Sequence, residues 1–312
     1  MRLASYHTPV LREEVLAWLI TSADGVYVDA TLGGGGHAES ILQRLDPTGV
    51  LVGFDADPDA IQFAATRLSS FGRRALLVHE NFRAISAALA QRGISRISGA
   101  LFDLGVSSFQ LDEPSKGFSY RGAERLDMRL DPSQAVNAVT VLNEYSETQL
   151  TDIFRSYGEE HAARSIARRI VRQRERHPLE TADQLAAIVQ SVSGERFLTK
   201  TLSRIFQALR IEVNDELQSL ASALEQAVSL LDPGGRVVVI SYHSLEDRIV
   251  KDFFKRESAL LRPSGNKLVP DTKLQPKLRI LTKKPVAATD DEVRSNPRSR
   301  SAKLRAAEKL SS

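Results

Sequence analysis

The first hundred residues alternate between short apolar runs and helix-length amphipathic stretches. The apolar runs are nearly continuous, as strands buried on both faces of a sheet are, and they occupy 26–30, 50–54, 75–79 and 100–104. Helix patterns with start and stop signals separate them at 37–45, 58–70 and 82–92. This βαβαβαβ rhythm predicts an α/β fold, a doubly wound, Rossmann-like parallel sheet with helices on both faces.

The rhythm stops after Leu104, and the next strand pattern is 236–241, behind a turn at 232–235. The stretch between them is far longer than one crossover helix needs. Most of it has helical periodicity, and helices are predicted at 147–157, 160–176, 182–192, 199–209 and 212–231. We therefore predict a helical insertion at 113–208, inside a discontinuous domain formed by 1–112 and 209–312. A helix at 245–258, a strand at 278–282 and a basic tail follow in the second part of that domain.

The chain contains no cysteine. Composition therefore excludes disulfide bonds, iron–sulfur clusters, thiolate zinc sites and a thiol nucleophile. The six histidines lack paired ligand spacing, so no metal site is predicted. Because the sequence has neither a long apolar run nor a secretory leader pattern, we expect a cytoplasmic protein with no membrane partner.

Charge is unevenly distributed, although the formal net charge is only +3. Residues 262–312 contain 13 Lys/Arg against 5 Asp/Glu, and residues 155–176 contain 7 against 3. Two basic segments on an otherwise acidic chain indicate a polyanionic partner, usually nucleic acid, whereas the alternative is a solvated helix face with a frayed tail. Three arginines fall at i, i+4 and i+8 on one helix face, and these candidate RNA-binding residues are Arg164, Arg168 and Arg172.

A glycine-rich turn joins the first predicted strand to the first predicted helix, at 33–36. Glycines let the backbone approach a ligand closely and direct N–H groups towards it. Asp55 follows Gly36 by 19 residues, the spacing at which a carboxylate binds the ribose hydroxyls of a nucleoside cofactor. In this chain Ala38 stands where the dinucleotide fingerprint has its last glycine. The turn therefore favours S-adenosylmethionine over NAD. Neither a P-loop nor a hydrolase elbow is present.

Three carboxylates end predicted strands and should share one edge of the sheet, namely Asp29, Asp55 and Asp103. Ligands of open α/β sheets bind at the carboxyl ends of the strands. Asp29 also suits a cofactor that carries an ammonium and a sulfonium group better than one that carries a pyrophosphate. The sequence thus predicts a cofactor site at this edge.

Several blocks that span essentially the whole chain resemble the bacterial MraW/RsmH methyltransferases. The blocks are HTPVL at 7–11, DATLGGGGH at 29–37, FDAD at 54–57, LGVSSFQLD at 104–112, GFSY at 117–120, LDMR at 126–129, FQALRIEVN at 206–214, SYHSLEDR at 241–248 and NPRSRSAKLR at 296–305. The chain departs from the family pattern at Gly122-Ala123-Glu124-Arg125, where the family commonly has Asp-Gly-Pro, and this departure concerns local loop geometry.

The resemblance implies a class I methyltransferase that transfers a methyl group from S-adenosylmethionine to the exocyclic N4 of a decoding-centre cytidine in small-subunit (16S) ribosomal RNA. It also implies a set of cofactor contacts, which by matching position are Gly35, Gly36, His37, Asp55, Phe82, Asp103 and Gln110. The helical insertion would then hold the RNA substrate, either free RNA or an assembled small subunit. A homodimer is left open.

Methylation of an exocyclic amine needs the nitrogen held in line with the methyl group and an acceptor for the amine proton. Asp103 and His243 are the candidates for catalytic residues, and the choice between them stays open. C5 methylation of a pyrimidine usually needs a cysteine, so composition favours N- or O-methylation. A base taken out of its stack also needs an apolar wall, for which Phe118, Tyr120 and Tyr242 are candidates.

Three other functions remain open at this point. The residues alone are equally compatible with a methyltransferase of another RNA or DNA amine. A nucleotide-cofactor oxidoreductase would show flavin or nicotinamide absorbance on purification. A non-catalytic RNA-binding assembly factor would bind the cofactor without turnover.

Overall fold

The computed structural model describes residues 9–120, 122–262, 264–265 and 270–311, so His7 and Thr8 of the opening block lie outside the described residues. The chain forms two compact units: a sheet unit, Met1–Gly105 with Leu217–Ser312, and a helical unit, Val106–Glu216. The sequence placed the boundaries at 112/113 and 208/209. One helix runs unbroken through the second of these positions, from Leu198 to Asn214, and the boundary therefore falls after it.

The strands alternate with helices as the sequence predicts and are followed by a more irregular C-terminal part. In chain order the strands are β1 Val26–Asp29, β2 Val50–Asp55, β3 Ala75–His79, β4 Ile97–Asp103, β5 Leu231–Ser241, β6 Leu261–Arg262, β7 Thr272–Lys273, β8 Leu278–Ile280, β9 Val286–Ala287 and β10 Lys303–Lys309. Within the described residues, eight of them form one sheet in the order β3-β2-β1-β4-β5-β10-β8, with β9 also paired to β10. The first five strands are parallel, and β10 is antiparallel to its neighbours.

Successive residues of the central strands enter two different cores. In β5, Val237 and Val239 pack in the core on one face of the sheet, whereas Val238 and Ile240 pack in the core on the other. Side chains alternate between faces along a strand, so a strand covered on both sides reads as continuously apolar. The predicted fold class, a doubly wound Rossmann-like sheet with a helical insertion, is confirmed.

Both units contain helices. Those of the sheet unit flank the strands, and the remaining helices form the helical unit. In chain order the α-helices are α1 Arg12–Leu19, α2 Gly36–Arg44, α3 Pro58–Arg67, α4 Ile85–Ala90, α5 Ser108–Asp112, α6 Ala138–Glu144, α7 Glu147–Ser156, α8 Ala163–Arg174, α9 Ala182–Gln190, α10 Leu198–Asn214, α11 Glu216–Leu230, α12 Ser244–Glu257 and α13 Asp290–Ser295. Among the described residues, no helix combines the length and the apolar character needed to cross a membrane.

The predicted turn at 232–235 lies within β5. Leu231 pairs with Ile97 and Arg236 pairs with Gly99, so four residues bulge out of the ladder between two paired positions. Gly234 has a φ of +81° there, a conformation that glycine adopts without strain.

The C-terminal part is basic, but the alternative of a frayed tail is wrong for Lys303–Lys309, which form a strand. Strand β10 lies inside the sheet, between β5 and β8. Its Arg305 is 8% exposed and its Nε lies 2.6 Å from Asp247 Oδ1 on α12. A charged residue in a strand looks solvated in sequence, but here an ion pair with a neighbouring helix compensates its burial.

The helical unit has its own apolar core, with fully buried Phe154, Ile166 and Ile170 among its members. Asn214 at the end of α10 stabilises the segment after Asp127, because its side chain donates to Met128 O and accepts from Leu130 N–H. The segment that departs from the family pattern has a defined geometry. It bridges to the start of α9: Ala182 N–H donates to Glu124 O and Leu126 N–H donates to Glu180 O, both at distances typical of a strand pair.

Candidate functional site

The glycine loop lies between β1 and α2. Gly33 and Gly35 have φ values of +50° and +74°, in the left-handed region that glycine adopts without strain. Gly35 is the N-cap of α2 and offers no side-chain cap to the helix. A Cβ on Gly36 would approach Pro9 Cγ to 2.7 Å, so glycine is the residue that fits at the start of α2.

Asp29, Asp55 and Asp103 are the last residues of β1, β2 and β4, and these three strands are neighbours in the sheet. The carboxyl ends of parallel strands share one edge, so the sheet places the three carboxylates there, as the sequence predicts. Asp55 also holds the glycine loop, because its Oδ2 accepts from Gly33 N–H at 2.8 Å. Its Oδ1 accepts from Asp57 N–H at 2.9 Å, and the carboxylate stays partly exposed.

Asp29 is buried directly under this loop, at 1% exposure. Burial raises the pKa of Asp29 to about 7, and the neighbouring carboxylates Asp103 and Asp55 add to the increase, whereas His37 and the Thr31 N–H oppose it. Its Oδ1 accepts from Thr31 N–H at 3.2 Å, and its Oδ2 has no hydrogen-bond partner among the described residues. A carboxyl group in these surroundings changes protonation near neutral pH.

Asp103 connects the glycine loop with the end of β5. Its Oδ2 lies 3.5 Å from His37 Nε2, an ion-pair distance without hydrogen-bond geometry, and its Oδ1 accepts from the Tyr242 hydroxyl at 2.8 Å. Its backbone N–H donates to Thr31 Oγ1 at 2.6 Å. Asp103 thus contacts residues that follow β1 and β5, and about a fifth of its side chain remains exposed.

Phe82 and Gln110, the two remaining residues implied as cofactor contacts, make structural contacts in this molecule. Phe82 follows β3 and packs edge-on against Phe102, with ring centroids 6.0 Å apart. Gln110 lies in the helical unit, where its side chain accepts from Ser107 N–H at 2.8 Å and closes a capping box at the start of α5.

His243 is the N-cap of α12, and its ring is fixed by Glu246. Its Nδ1 accepts from Glu246 N–H at 3.4 Å, and its Nε2 lies 3.1 Å from Glu246 Oε1. Sequence reasoning did not find this role, because Ser, Thr, Asp or Asn is the usual residue at such a cap. The glutamate three residues after the cap was the available signal.

The three candidate RNA-binding arginines are exposed along α8, opposite the face that buries Ile166, Ala167 and Ile170. Arg168 Nε lies 3.6 Å from Glu147 Oε1, an exposed pair that water and salt screen strongly. The helix therefore presents a row of solvated guanidinium groups, as its periodicity predicts.

Of the aromatic residues proposed for a pocket wall, Phe118 is buried in the core of the helical unit and Tyr120 packs edge-on against Phe206 at 5.8 Å. Tyr242 belongs to the sheet unit and makes its polar contact with Asp103. No sequence pattern indicates that hydrogen bond, which joins residues 139 positions apart.

A sheet with one antiparallel strand near its edge, a glycine loop after β1 and carboxylates at the ends of β2 and β4 define a class I methyltransferase. The model of the MraW methylase family matches residues 4–310, and the chain belongs to that family.

Two relatives are similar over nearly their full length. The ribosomal RNA small subunit methyltransferase H of Carboxydothermus hydrogenoformans is 49% identical over 98% of each chain. The protein of the same name from Heliobacterium modesticaldum is 46% identical, over 98% of this chain and 99% of its own. Among solved structures, an rRNA methylase from Streptococcus thermophilus aligns with a TM-score of 0.42 and 12% identity, over 96% of this chain and 94% of its own.

Proposed function

We propose that this protein transfers a methyl group from S-adenosylmethionine to the exocyclic N4 of a decoding-centre cytidine in small-subunit (16S) ribosomal RNA, and that it acts in the cytoplasm. The observation that carries the proposal is the shared edge at which the glycine loop, Asp55 and Asp103 lie together. Relatives of nearly the same length that are named ribosomal RNA small subunit methyltransferase H support the substrate class.

The residues at this edge fit a polar nucleoside cofactor. Both ring nitrogens of His37 and Asp29 Oδ2 are buried without hydrogen-bond partners among the described residues, so the site has unused polar capacity beside the loop. Gly35, Gly36 and His37 would hold the cofactor along the loop, and Asp55 would bind its ribose hydroxyls. Phe82, Asp103 and Gln110 remain proposed contacts by family position. When bound, S-adenosylmethionine supplies an electrophilic methyl group.

We further propose Asp103, rather than His243, as the residue beside the reacting amine. His243 Nδ1 caps α12 by accepting from Glu246 N–H, and its Nε2 is buried 3.1 Å from Glu246 Oε1, without a hydrogen-bond partner among the described residues. Asp103 is partly exposed at the end of β4. As a carboxylate it accepts hydrogen bonds and donates none, so it can orient the N–H groups of the amine and accept the proton that is released.

The helical unit would bind the RNA, through the exposed face of α8. Phosphate contacts supply affinity that falls with salt, and the arginine row has the charge and the exposure for such contacts. The proposed RNA-binding segment is therefore the whole helical unit, Val106–Glu216, instead of 113–208.

The test is transfer from tritium-labelled S-adenosylmethionine to unmethylated small subunits and, separately, to their naked RNA, followed by nucleoside analysis. We expect label in N4-methylcytidine, lost in Asp55→Ala. Label in a different nucleoside would contradict the N4 assignment and leave a methyltransferase. Cofactor binding without label in either substrate would instead favour a non-catalytic assembly factor, and preference for one substrate would decide between free RNA and the assembled subunit.

A further inference from the structure

Tyr242 lies beside Asp103 because of the register of two parallel strands. Asp103 at the end of β4 pairs with Ile240 of β5, and Tyr242 comes two residues after Ile240. Residues two apart along an extended chain lie on the same side. The sheet itself therefore brings the tyrosine ring to the side of the sheet on which the carboxylate lies.

The Tyr242 hydroxyl donates to Asp103 Oδ1 at 2.8 Å. Burial raises the pKa of Tyr242 well above its ordinary value, and the negative charges of Asp103, Glu246 and Glu292 raise it further. The hydroxyl therefore keeps its proton at neutral pH and donates it to the carboxylate.

Tyr242 is itself held in place from two directions. Its backbone N–H donates to Glu246 Oε2 at 2.8 Å, and the same oxygen accepts from His243 N–H at 3.2 Å. Glu246 is 3% exposed, so these bonds are shielded from water. On the ring side, a Cβ added to Gly105 would lie 3.6 Å from Tyr242 Cδ2, so the turn after β4 lies close to the ring.

We propose that Tyr242 is a positioning residue for methyl transfer, which fixes the Asp103 carboxylate through its hydroxyl and is held for this purpose by Glu246. The inference rests on the proposed function. A carboxylate at a strand end rotates about two single bonds, and a donor on a rigid ring selects one orientation. With Oδ1 occupied by Tyr242, Asp103 presents Oδ2 beside the glycine loop, at 3.5 Å from His37 Nε2. In-line transfer depends on such fixed orientation.

The variant that tests this is Tyr242→Phe, which removes the hydroxyl and keeps the ring beside Gly105. We expect the single-turnover rate of methyl transfer at saturating S-adenosylmethionine and RNA to fall about tenfold, the loss expected for one hydrogen bond to a charged group. The Kd for S-adenosylmethionine and the KM for RNA should change by less than about twofold, because the loop and Asp55 are untouched.

Tyr145→Phe is the matched control. The Tyr145 hydroxyl donates to Glu212 Oε1 at 3.0 Å, and burial with that carboxylate raises the pKa of Tyr145 to about 12. The control therefore removes the same kind of bond from the helical unit, and its transfer rate should equal that of the unmodified protein. A second variant, Glu246→Gln, keeps one acceptor oxygen for the two N–H donors and should lower the rate less than Tyr242→Phe does.

An unchanged transfer rate in Tyr242→Phe would overturn the inference and leave the proposed function intact. A weaker Kd for S-adenosylmethionine with an unchanged rate at saturation would also overturn it, by assigning Tyr242 to cofactor binding. An equal fall of the transfer rate in Tyr145→Phe would also overturn it, because the loss would then be a general effect of removing a tyrosine hydroxyl. If the unmodified protein methylates no RNA, the proposed function fails and the inference fails with it. Thermal unfolding of each variant identifies any loss of folded protein. If Tyr242→Phe does not fold, Glu246→Gln is the test, and an unchanged transfer rate in that variant would overturn the inference.

Discussion

The two units use charged residues in different ways. The sheet unit buries Asp29 and Glu246 and connects Asp103 to neighbouring residues on two sides. Helix α8 of the helical unit keeps its apolar side chains inside and exposes Arg164, Arg168 and Arg172. Fixed, desolvated groups stabilise charge that develops in a transition state, whereas mobile, solvated charges suit a polyanion that binds along a surface. The comparison supports the proposed division between a sheet unit that carries out the chemistry and a helical unit that binds RNA.

The largest expected effect tests whether the two units are independent. Phe154 is fully buried in the helical core, and Phe154→Ala should lower the free energy of unfolding of that unit by about 3–5 kcal/mol, through reduced burial and the remaining cavity. Urea unfolding would measure the loss, and calorimetry should show an unchanged affinity for S-adenosylmethionine. Phe197→Ala, at a phenylalanine 58% exposed in the same unit, is the control and should cost less than about 0.5 kcal/mol. A parallel loss of cofactor affinity in Phe154→Ala would break the comparison.

The second prediction concerns the cofactor site of the sheet unit. Asp55→Ala removes a carboxylate that holds Gly33 and is expected to bind ribose, so the Kd for S-adenosylmethionine should weaken about a hundredfold. RNA affinity, measured by filter binding, should not change. Asp46→Ala removes the same charge from an exposed position and should leave both affinities as they are. A loss of RNA affinity in Asp55→Ala would show that the two functions are not divided between the units.

A third prediction follows from the buried carboxyl group of Asp29. Its pKa in the folded protein, about 7, exceeds the ordinary value of 3.8, so the folded state binds the proton more tightly than the unfolded state. The resulting stability is complete below about pH 4 and is lost as pH rises to about 7. Asp29→Asn cannot ionise and does not lose stability in this way. Its free energy of unfolding should therefore rise relative to that of the unmodified protein by about 3 kcal/mol between pH 4.5 and pH 8. Urea midpoints of the cofactor-free protein at the two pH values would measure this, and a difference independent of pH would contradict it.

The smallest expected effect concerns the exposed arginines of α8 in the helical unit. Replacing Arg164, Arg168 and Arg172 by glutamine should weaken RNA binding about tenfold at low salt and reduce the slope of log K against log salt by about 0.7 for each phosphate that is no longer neutralised. The affinity for S-adenosylmethionine should be unaffected. The same change at the exposed arginines Arg44, Arg73 and Arg92 of the sheet unit is the control for net charge. An equal loss of RNA affinity in both triple variants would contradict a specific role of α8 in RNA binding.

The parts of the molecule that the sequence predicts are those in which neighbouring residues carry the signal. Continuous apolar runs predict β1 to β4, and the aspartates that end them fall at one edge because parallel strands share their direction. Arg305 looks solvated in the sequence, since only the folded chain brings it to Asp247. The Tyr242–Asp103 bond was missed for the same reason, because it depends on the register of β4 and β5. Local patterns also ended this helix too early, at Leu209, whereas α10 continues to Asn214.

The place of β10 in the sheet has a consequence for how the protein is made. Strand β5 ends at Ser241, and the strand that covers its outer edge begins 62 residues later, at Lys303. At synthesis rates of about 5–20 residues per second, translation of the intervening chain takes about 3–12 s, and β5 has no partner at its outer edge during that time. During that interval the outer edge of β5 lacks its partner strand, and a pause in translation after Ser241 would lengthen the interval. The yield of folded protein should therefore respond more to codon usage after Ser241 than to codon usage in the helical unit.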